Sequence, residues 1–423
     1  MNYIEKDSGV DNESNSFHGW RFAFIGAILN CLLSGFYGRG FAVYFLELAR
    51  DLRLSHTSTS LVFGLSALEG GVQSPITGLL IDKWGPRRMM VLGALLAGIG
   101  FILLPLAKNF GSFLAIFLGV VSLGSNLGFH NGSSAIVTRW FVRNRGMAFG
   151  IISMGIAVGG SVLTPIVAYL VINHGWRLTS IVSGVVLLIV GVPLACLIRN
   201  SPEEIGQLPD GDHKIGSNNI PLIADVSFRV KEALITWEYW LLALGITLRI
   251  AAGSCVIVHI VPLMVWKGLG EGTGAIVIAT GSIAAIGTRF VMGWIGDRWY
   301  KDKLVAISML VGSASLIFLL ISPGKIEFMV FFGIILSITE GAAGLTWAMI
   351  GDYFGRNSFA TLRGFINSFV SLGALAMPVA AGWVFDSTSS YYWVLVFCSG
   401  LYVLAAFVFV ALPKPFSKGL LSE

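Results

Sequence analysis

The stretch Gly78-Leu-Leu-Ile-Asp82-Lys-Trp-Gly85-Pro-Arg87-Arg88 joins one long apolar segment to the next. Its glycines permit a tight turn, and Asp82 can pair with basic groups near helix ends. A shorter copy, Gly293-Trp-Ile-Gly-Asp297-Arg298, stands in the second half of the chain. A charged turn that recurs in this way indicates two related halves.

A second pair of charged segments repeats in the same order. Arg139-Trp-Phe-Val-Arg143-Asn-Arg145-Gly146 is echoed by Asp352-Tyr-Phe-Gly-Arg356, with Arg363-Gly364 opening a later apolar segment. Two related halves that rock about a site near the membrane midplane are a known transporter architecture.

The composition indicates a membrane protein. The 423 residues are 55% hydrophobic and only 12% charged, with a mean hydropathy of +0.80. A soluble domain carries about 25% charged residues, so most of this surface must face hydrocarbon. The 52 glycines agree, because small residues let membrane helices approach closely.

Twelve apolar segments reach the length of about 20 residues that spans a bilayer. They lie near 20–46, 58–81, 89–107, 111–138, 146–172, 178–198, 237–265, 272–296, 304–322, 326–350, 361–384 and 391–412. The predicted fold class is an all-α membrane protein with two pseudo-symmetric six-helix halves. The predicted divisions are a tail at 1–19, a bundle at 20–198, a linker at 199–236, a second bundle at 237–412 and a tail at 413–423.

The basic residues predict the orientation. Nineteen of the 28 lysines and arginines fall on one set of loops and tails, six fall on the other set, and three lie inside helices. Cytoplasmic loops are enriched in lysine and arginine, so both termini are expected in the cytoplasm. We expect a multi-pass protein of the plasma membrane, or of the inner membrane in a Gram-negative cell. The net charge of +5 then needs no nucleic-acid partner.

The first stretch resembles the loop 2–3 signature of the major facilitator superfamily. The resemblance implies the fold of that superfamily and a role for the charged turns in closing a cytoplasmic gate. The gate residues that it implies are Gly78, Asp82, Gly85, Arg87, Arg88, Asp297, Arg298 and Arg145.

Three further stretches are similar to the monocarboxylate transporters and the bacterial oxalate/formate exchangers. The run from Trp140 to Gly150 resembles their aromatic and basic lead into helix 5. Thr288-Arg289-Phe-Val-Met-Gly293 resembles the run around their carboxylate-binding arginine. Gly38-Arg39-Gly-Phe-Ala-Val-Tyr-Phe-Leu-Glu47 resembles a run in which animal members carry a functional lysine, whose place Arg39 takes.

The sequence also departs from those relatives. Animal members often carry an acidic residue four positions before the helix-8 arginine, where this chain has Ala285. Their acidic signature before helix 1 is reduced to His18-Gly19-Trp20. The exchangers place a lysine in helix 11, which has no basic residue after Arg363 here. A proton-coupling aspartate–arginine pair within helix 8 is therefore not carried over.

Three arginines lie inside apolar segments: Arg39, Arg249 and Arg289. A central arginine costs about 2.5–3.5 kcal/mol on insertion scales, so it faces a partner or an aqueous cavity. Its planar donor fork matches a carboxylate, and we predict all three as substrate-binding residues. The alternatives are an ion pair with helix 10 for Arg289, snorkelling for Arg39 and a structural ion pair for Arg249.

Other polar groups complete the predicted site. Glu340, Glu69 and His259 are candidates for proton coupling, with static ion pairs or interhelical hydrogen bonds as alternatives. Glu340 could pair with Arg249 or Arg289. Tyr37, His130 and Asn131 are predicted cavity-lining residues, with helix packing as the alternative.

Enzyme chemistry is not indicated. The four cysteines lie in apolar segments without metal-ligand spacing, so no metal site is expected. There is no phosphate-binding loop, nucleophile–base arrangement or cofactor motif.

The sequence thus predicts a secondary active transporter of small organic anions, most specifically monocarboxylates of the lactate or pyruvate type. Transport would be coupled to protons and would proceed by alternating access in a monomer within the lipid bilayer. A dicarboxylate exchanger with two arginines, a drug or sugar carrier of the same fold, and a non-transporting anion sensor remain alternatives.

Overall fold

Helices form all the regular structure in the described part of the chain. The computed structural model describes residues 17–40, 43–44, 47, 51, 56–211 and 228–413, without the side chains of 56–64, 67 and 271. The first half contains α1 (Gly19–Gly38), α2 (His56–Trp84), α3 (Pro86–Leu106), α4 (Phe110–Trp140), α5 (145–174) and α6 (176–197). The second half contains α7 (Trp237–Val258, continued by Ile260–Trp266), α8 (Glu271–Gly296), α9 (Lys301–Ile321), α10 (Ile326–Phe354), α11 (Phe359–Thr388) and α12 (Tyr392–Val410).

These helices confirm the predicted fold class. Ten stretches of the described residues are long and apolar enough to cross a membrane, and one of them spans residues 145–197. That stretch contains two helices, because Gly175 has φ +78° and ψ 159°, which a continuing helix cannot adopt. With α2, the described residues contain twelve helices.

Two helices are interrupted where the sequence predicts a continuous segment. Helix α7 breaks at His259, since Pro262 lacks an N–H and its ring displaces the carbonyl of Val258 one turn earlier. Helix α10 has a shorter interruption at Ala342.

The linker between the halves has partial local structure. Its described residues form 3₁₀ turns at Pro202–Ile205 and Pro209–Gly211 and a short helix at Val230–Ile235. Residues 1–16 of the predicted tail at 1–19, residues 414–423 of the predicted tail at 413–423, and linker positions 212–227 lie outside the described residues.

The two halves contact each other through equivalent helices. Helix α2 packs against α11, and α5 packs against α8. A shift of six helices exchanges these two pairs, so the packing repeats the internal symmetry of the sequence. Both contacts reach the end of the bundle that carries the turn at Gly85 and the segment 141–144. We call this the loop end; it is the end predicted to be cytoplasmic.

Glycines bring the halves into backbone contact at the loop end. A Cβ added to Gly78 of α2 would lie 2.3 Å from the carbonyl oxygen of Ala360. A Cβ added to Gly293 of α8 would lie 2.7 Å from the carbonyl oxygen of Gly146. Only glycine fits at these crossings, which explains its place in both copies of the charged turn.

The outer surface carries the apolar groups that a bilayer requires. Ile172 is 77% exposed and Trp383 is 72% exposed. Exposure of such large apolar side chains is unfavourable in water and favourable against lipid tails.

Candidate substrate site and gate

Arg289 and Glu340 form an ion pair between α8 and α10, in which Arg289 is buried and the Glu340 side chain is 34% exposed. Arg289 Nη2 donates to Glu340 Oε2 over 3.0 Å. Arg289 Nη1 donates to the carbonyl oxygen of Ser153 on α5 over 2.8 Å. Arg289 is 5% exposed, so it connects the two halves from a buried position. At 1.5 Å per residue it lies about 12 Å from the Asp297 end of α8.

Two further arginines act on the same carboxylate. Arg249 of α7 and Arg39, next to the end of α1, both interact electrostatically with Glu340. These four residues, Arg39, Arg249, Arg289 and Glu340, are named the arginine cluster. Three guanidinium groups around one carboxylate leave an excess of positive charge, which an anion would neutralise.

Unsatisfied donors mark the same place. The Nε atoms of Arg249 and Arg289 are buried and have no hydrogen-bond partner among the described residues. A buried donor left unpaired costs about 1–3 kcal/mol, and more for a charged group. A carboxylate ligand would satisfy such donors, which makes the arginine cluster the strongest anion-site candidate.

Arg39 reaches from the first half to α8. Its Nη1 donates to Ser282 Oγ over 3.3 Å. Ser282 and Arg289 are two helical turns apart, so they share one face of α8 at a separation of about 10 Å along the axis. Arg39 therefore contacts the face of α8 that carries Arg289, about 10 Å away along the axis.

Uncharged polar side chains lie around Glu69 in the first half. The Tyr37 hydroxyl hydrogen-bonds to Ser122 Oγ and Ser66 Oγ, each over 2.9 Å. Gln73 Nε2 donates to Glu69 Oε1, and Glu69 Oε2 is buried without a hydrogen-bond partner among the described residues. Among the described residues, no basic side chain forms an ion pair with Glu69. Its environment thus differs sharply from that of Glu340.

His130 and Asn131 make interhelical contacts instead of joining the arginine cluster. Arg363 of α11 donates from Nη1 to the His130 carbonyl over 2.8 Å and from Nη2 to His130 Nε2 over 2.9 Å. Asn131 Nδ2 donates to Thr77 Oγ1 over 3.1 Å. The substrate-binding role of both residues stays a prediction.

His259 is held by both ring nitrogens at the break in α7. Its Nε2 donates to the carbonyl oxygen of Pro378 over 3.0 Å, because a carbonyl can only accept. Its Nδ1 hydrogen-bonds with the Tyr391 hydroxyl over 2.9 Å. These contacts match the interhelical alternative and leave the coupling role a prediction. Among the described residues, no group of three or more His, Cys, Asp or Glu is arranged to hold a metal ion.

Two equivalent aspartates join the halves at the loop end. Asp82 of α2 accepts from the Thr361 N–H over 2.9 Å and from its hydroxyl over 2.7 Å. Asp297 accepts from the N–H groups of Gly146 over 2.6 Å and Met147 over 2.7 Å. A carboxylate is favourable at a helix N-terminus. Each aspartate therefore caps a helix of the other half, α11 or α5. Arg139 also interacts electrostatically with Asp82, in keeping with the pairing with basic groups that the sequence suggested.

An ion-pair group strengthens the same interface. Arg145 Nη1 and Lys301 Nζ donate to the two oxygens of Asp352, over 2.6 Å and 2.7 Å. Arg145 belongs to the first half, while Asp352 and Lys301 belong to the second half. We call this set of contacts, together with those of Asp82 and Asp297, the gate.

The remaining predicted gate residues do not cross between the halves. Gly85 forms the turn before α3 with φ +87°, a conformation that favours glycine. Arg298 donates to the carbonyl oxygen of Trp294 over 3.0 Å, within its own half. Arg87 and Arg88 line a groove between α3 and α6, inside the first half.

Asp210 is a contact that the sequence analysis missed. It adopts φ +58° in the linker and accepts from the backbone N–H groups of Val142, Arg143 and Asn144, over 2.9, 2.7 and 3.2 Å. The linker thereby holds the segment that leads into α5 and the Asp297 contact. The dipeptide Asp210-Gly211 is a turn signal that could have indicated an ordered position.

Acidification should favour the closed gate through Asp297. Burial raises the pKa of Asp297 to about 6, and the N–H donors and Lys301 offset only part of that effect. In an open gate the residue would face water, with a pKa near its ordinary 3.8. The closed state then binds the proton more tightly, so it gains stability as the pH falls through about 6 toward about 4.

Distances between spin labels at Lys83 and Lys303 test this effect in a background without native cysteines. Both side chains are exposed, and they lie on opposite halves. We expect the short-distance population to grow between about pH 7.5 and about pH 5 in the wild type and to grow less in Asp297→Asn. An equal shift in both proteins would assign the titration to another group.

The comparisons with known proteins agree with this architecture. The family model of the Major Facilitator Superfamily matches residues 23–323 and 242–423. Monocarboxylate transporter 11 of Mus musculus is 24% identical over 94% of this chain and 88% of its own length. Monocarboxylate transporter 12 of Xenopus laevis is 23% identical over 92% of this chain and 89% of its own length.

Solved structures share the fold at low identity. The transporter FucP in the outward conformation superposes with a TM-score of 0.72 and 13% identity, over 93% of this chain and 99% of its own. The proton:xylose symporter XylE gives 0.73 and 13% identity, over 95% of this chain and 98% of its own. The family match, the twelve helices and the symmetric gate lead to one conclusion: this chain is a membrane transporter, not an enzyme, and it belongs to the major facilitator superfamily, where it is similar to the monocarboxylate transporters.

Proposed function

We propose that this protein carries small carboxylates, with monocarboxylates of the lactate or pyruvate type as its substrates. The observation that carries the proposal is the arginine cluster, in which three guanidinium groups act electrostatically on Glu340 and two buried Nε donors lack partners among the described residues. A substrate carboxylate would bind these donors and reduce the excess positive charge. The similarity to monocarboxylate transporters supports the same substrate class.

The ion pair of Arg289 is compatible with this role. Glu340 occupies Nη2 of Arg289 and the Ser153 carbonyl occupies Nη1, which leaves Nε for the substrate. A carboxylate bound there would also be attracted by Arg249 and Arg39. Glu340 on α10 would then position the guanidinium of Arg289. It would take the place of the acidic residue that animal members often carry in helix 8, where this chain has Ala285.

We place the transported proton on Glu69. Its neighbours are neutral hydroxyl and amide groups, and an ionised carboxylate without a counter-charge is costly in an apolar setting. Glu340 is surrounded by guanidinium groups, which stabilise its charged form. Protonation of Glu69 can therefore accompany substrate binding without breaking the Arg289 ion pair.

Glu69→Gln should separate transport from the proton gradient. We expect gradient-driven accumulation of substrate to fall to the level without a gradient, because glutamine cannot take up a proton. Exchange of internal for external substrate should remain within about threefold of the wild type, since the arginine cluster is unchanged. Uptake and exchange in proteoliposomes measure the two processes, with Glu69→Asp as the variant that retains coupling. Undiminished accumulation in Glu69→Gln would move the proton site to Glu340 or His259.

Exchange of dicarboxylates is the second candidate. Arg39 contacts α8 at Ser282, about 10 Å along the axis from Arg289 on the same face, which would allow one arginine for each carboxylate. Rapid oxalate–formate exchange that needs no proton gradient would favour this candidate.

The gate contacts support alternating access as the mechanism. In the proposed orientation, with both termini in the cytoplasm of the plasma membrane, the closed loop end corresponds to an outward-facing transporter. Opening would break the caps at Asp82 and Asp297 and the pair of Arg145 with Asp352. Each monomer contains both halves and would transport alone.

Uptake of labelled lactate, pyruvate, formate and oxalate by proteoliposomes tests the proposal. An inward proton gradient should drive accumulation of the monocarboxylates, and unlabelled substrate should compete. Labelled fucose and xylose serve as the comparison for a sugar carrier. No carboxylate flux in the presence of sugar flux would overturn the assignment.

A further inference from the structure

A basic groove opens on the side of the first half, away from the gate. It has a volume of about 740 Å³ and lies between the loop end of α3 and the end of α6. Arg87 and Arg88 contribute from α3, and Arg199 contributes from the residues that follow α6. This placement puts three positive charges at the level where a bilayer has its headgroups.

The three guanidinium groups are available for a ligand. None of them makes a hydrogen bond or ion pair within the described residues; Arg87 and Arg199 are bonded only through their backbone atoms. The acidic residue of the groove, Glu204, is already engaged, since both of its oxygens accept from Asn200, over 3.0 Å and 2.8 Å. With three arginines and one glutamate in its lining, the groove has a formal net charge of +2.

An apolar strip continues from the arginines along α3. Val91, Leu92 and Leu95 line the groove and follow Arg88 at helical spacings of three, four and seven residues. Leu92 is 40% exposed and Leu95 is 37% exposed, so the strip faces outward. It extends about 10 Å from Arg88 toward the membrane centre.

We propose that this groove binds an anionic glycerophospholipid, whose phosphate contacts Arg87, Arg88 and Arg199 and whose acyl chain lies along Val91, Leu92 and Leu95. A free anion would use only the arginines and leave the apolar strip without a partner. Basic pockets between membrane helices on the cytoplasmic side bind anionic lipid headgroups. The site is separate from the arginine cluster and the gate.

Native mass spectrometry of the full-length protein in detergent tests the proposal. The probes are phosphatidylglycerol and the zwitterionic phosphatidylethanolamine. We expect phosphatidylglycerol to bind more tightly, and Arg88→Gln with Arg199→Gln to weaken its binding about thirtyfold. Both side chains are exposed and make no contact that folding needs. The matched control is Lys231→Gln with Lys303→Gln, which removes the same charge from exposed positions at the loop end.

Two further results separate a lipid from a free anion. Leu92→Gln with Leu95→Gln should weaken phosphatidylglycerol binding several-fold while all arginines remain. Inorganic phosphate at millimolar concentration should not displace the lipid. If the arginine substitutions and the lysine substitutions weakened phosphatidylglycerol binding equally, the proposed site would be overturned. Displacement of the lipid by inorganic phosphate would show that the groove is a site for a free anion.

Discussion

Arg289→Ala should reduce carboxylate uptake at low substrate concentration by at least a hundredfold. Truncating one partner of a buried, hydrogen-bonded charge pair costs about 2–5 kcal/mol, which corresponds to about 30-fold to 5,000-fold in affinity. Arg289 is 5% exposed, bonds to Glu340 and Ser153, and has a free Nε donor. Lysine has no Nε–H in a planar fork, so Arg289→Lys should restore only a small part of the activity.

Binding and flux can be measured separately for this variant. Substrate should raise the Tm of the wild type, since a ligand that binds the folded state stabilises it, and should not raise the Tm of Arg289→Ala. Lys325→Ala is the control, because it removes an exposed positive charge between α9 and α10. Uptake with an unchanged KM in Arg289→Ala would contradict the placement of the substrate and reduce Arg289 to a structural ion pair.

The fold could be predicted because its determinants are repeated in the sequence. The charged turn occurs once in each half, and its first glycine, Gly78 or Gly293, marks a place where helices of opposite halves meet. The partners of Asp82 and Asp297 could not be predicted in the same way. A sequence shows that an aspartate stands at a helix end, but not that the first turn of α11 or α5 lies opposite it.

The site could be predicted as a set of charges, not as a set of contacts. Charged residues within apolar segments are costly, so Arg39, Arg249, Arg289 and Glu340 stand out. Their spacing does not tell which arginine Glu340 contacts, because Arg249 and Arg289 both belong to the second half. Ser153 and Ser282 gave no signal in the sequence. Ser153 contributes only its backbone carbonyl, which every residue has, and a serine hydroxyl such as that of Ser282 usually bonds to its own helix backbone.

Gly78→Val should open the loop end and stop transport. The Cβ of any other residue at position 78 would lie 2.3 Å from the carbonyl oxygen of Ala360 and 2.7 Å from the Cα of Thr361. These are backbone atoms, which cannot rotate away, so α2 and α11 must separate. Overpacking costs about 1–3 kcal/mol, and here the cost falls only on the closed gate. The ratio of closed to open protein should therefore fall by about fivefold to 150-fold.

The spin-label pair at Lys83 and Lys303 measures this shift as a loss of the short distance, and uptake should fall in parallel. Gly119→Val is the matched control, because Gly119 also lies within a membrane helix and has no atom within 4 Å of an added Cβ. It carries the same change in helix propensity without the clash. If Gly78→Val kept the wild-type distances and uptake, the contact of α2 with α11 would not be the closed gate. If the distances lengthened while substrate still raised the Tm, the variant would separate substrate binding from the movement that completes transport. Such a separation is possible because the arginine cluster and the gate lie at different depths of the same interface.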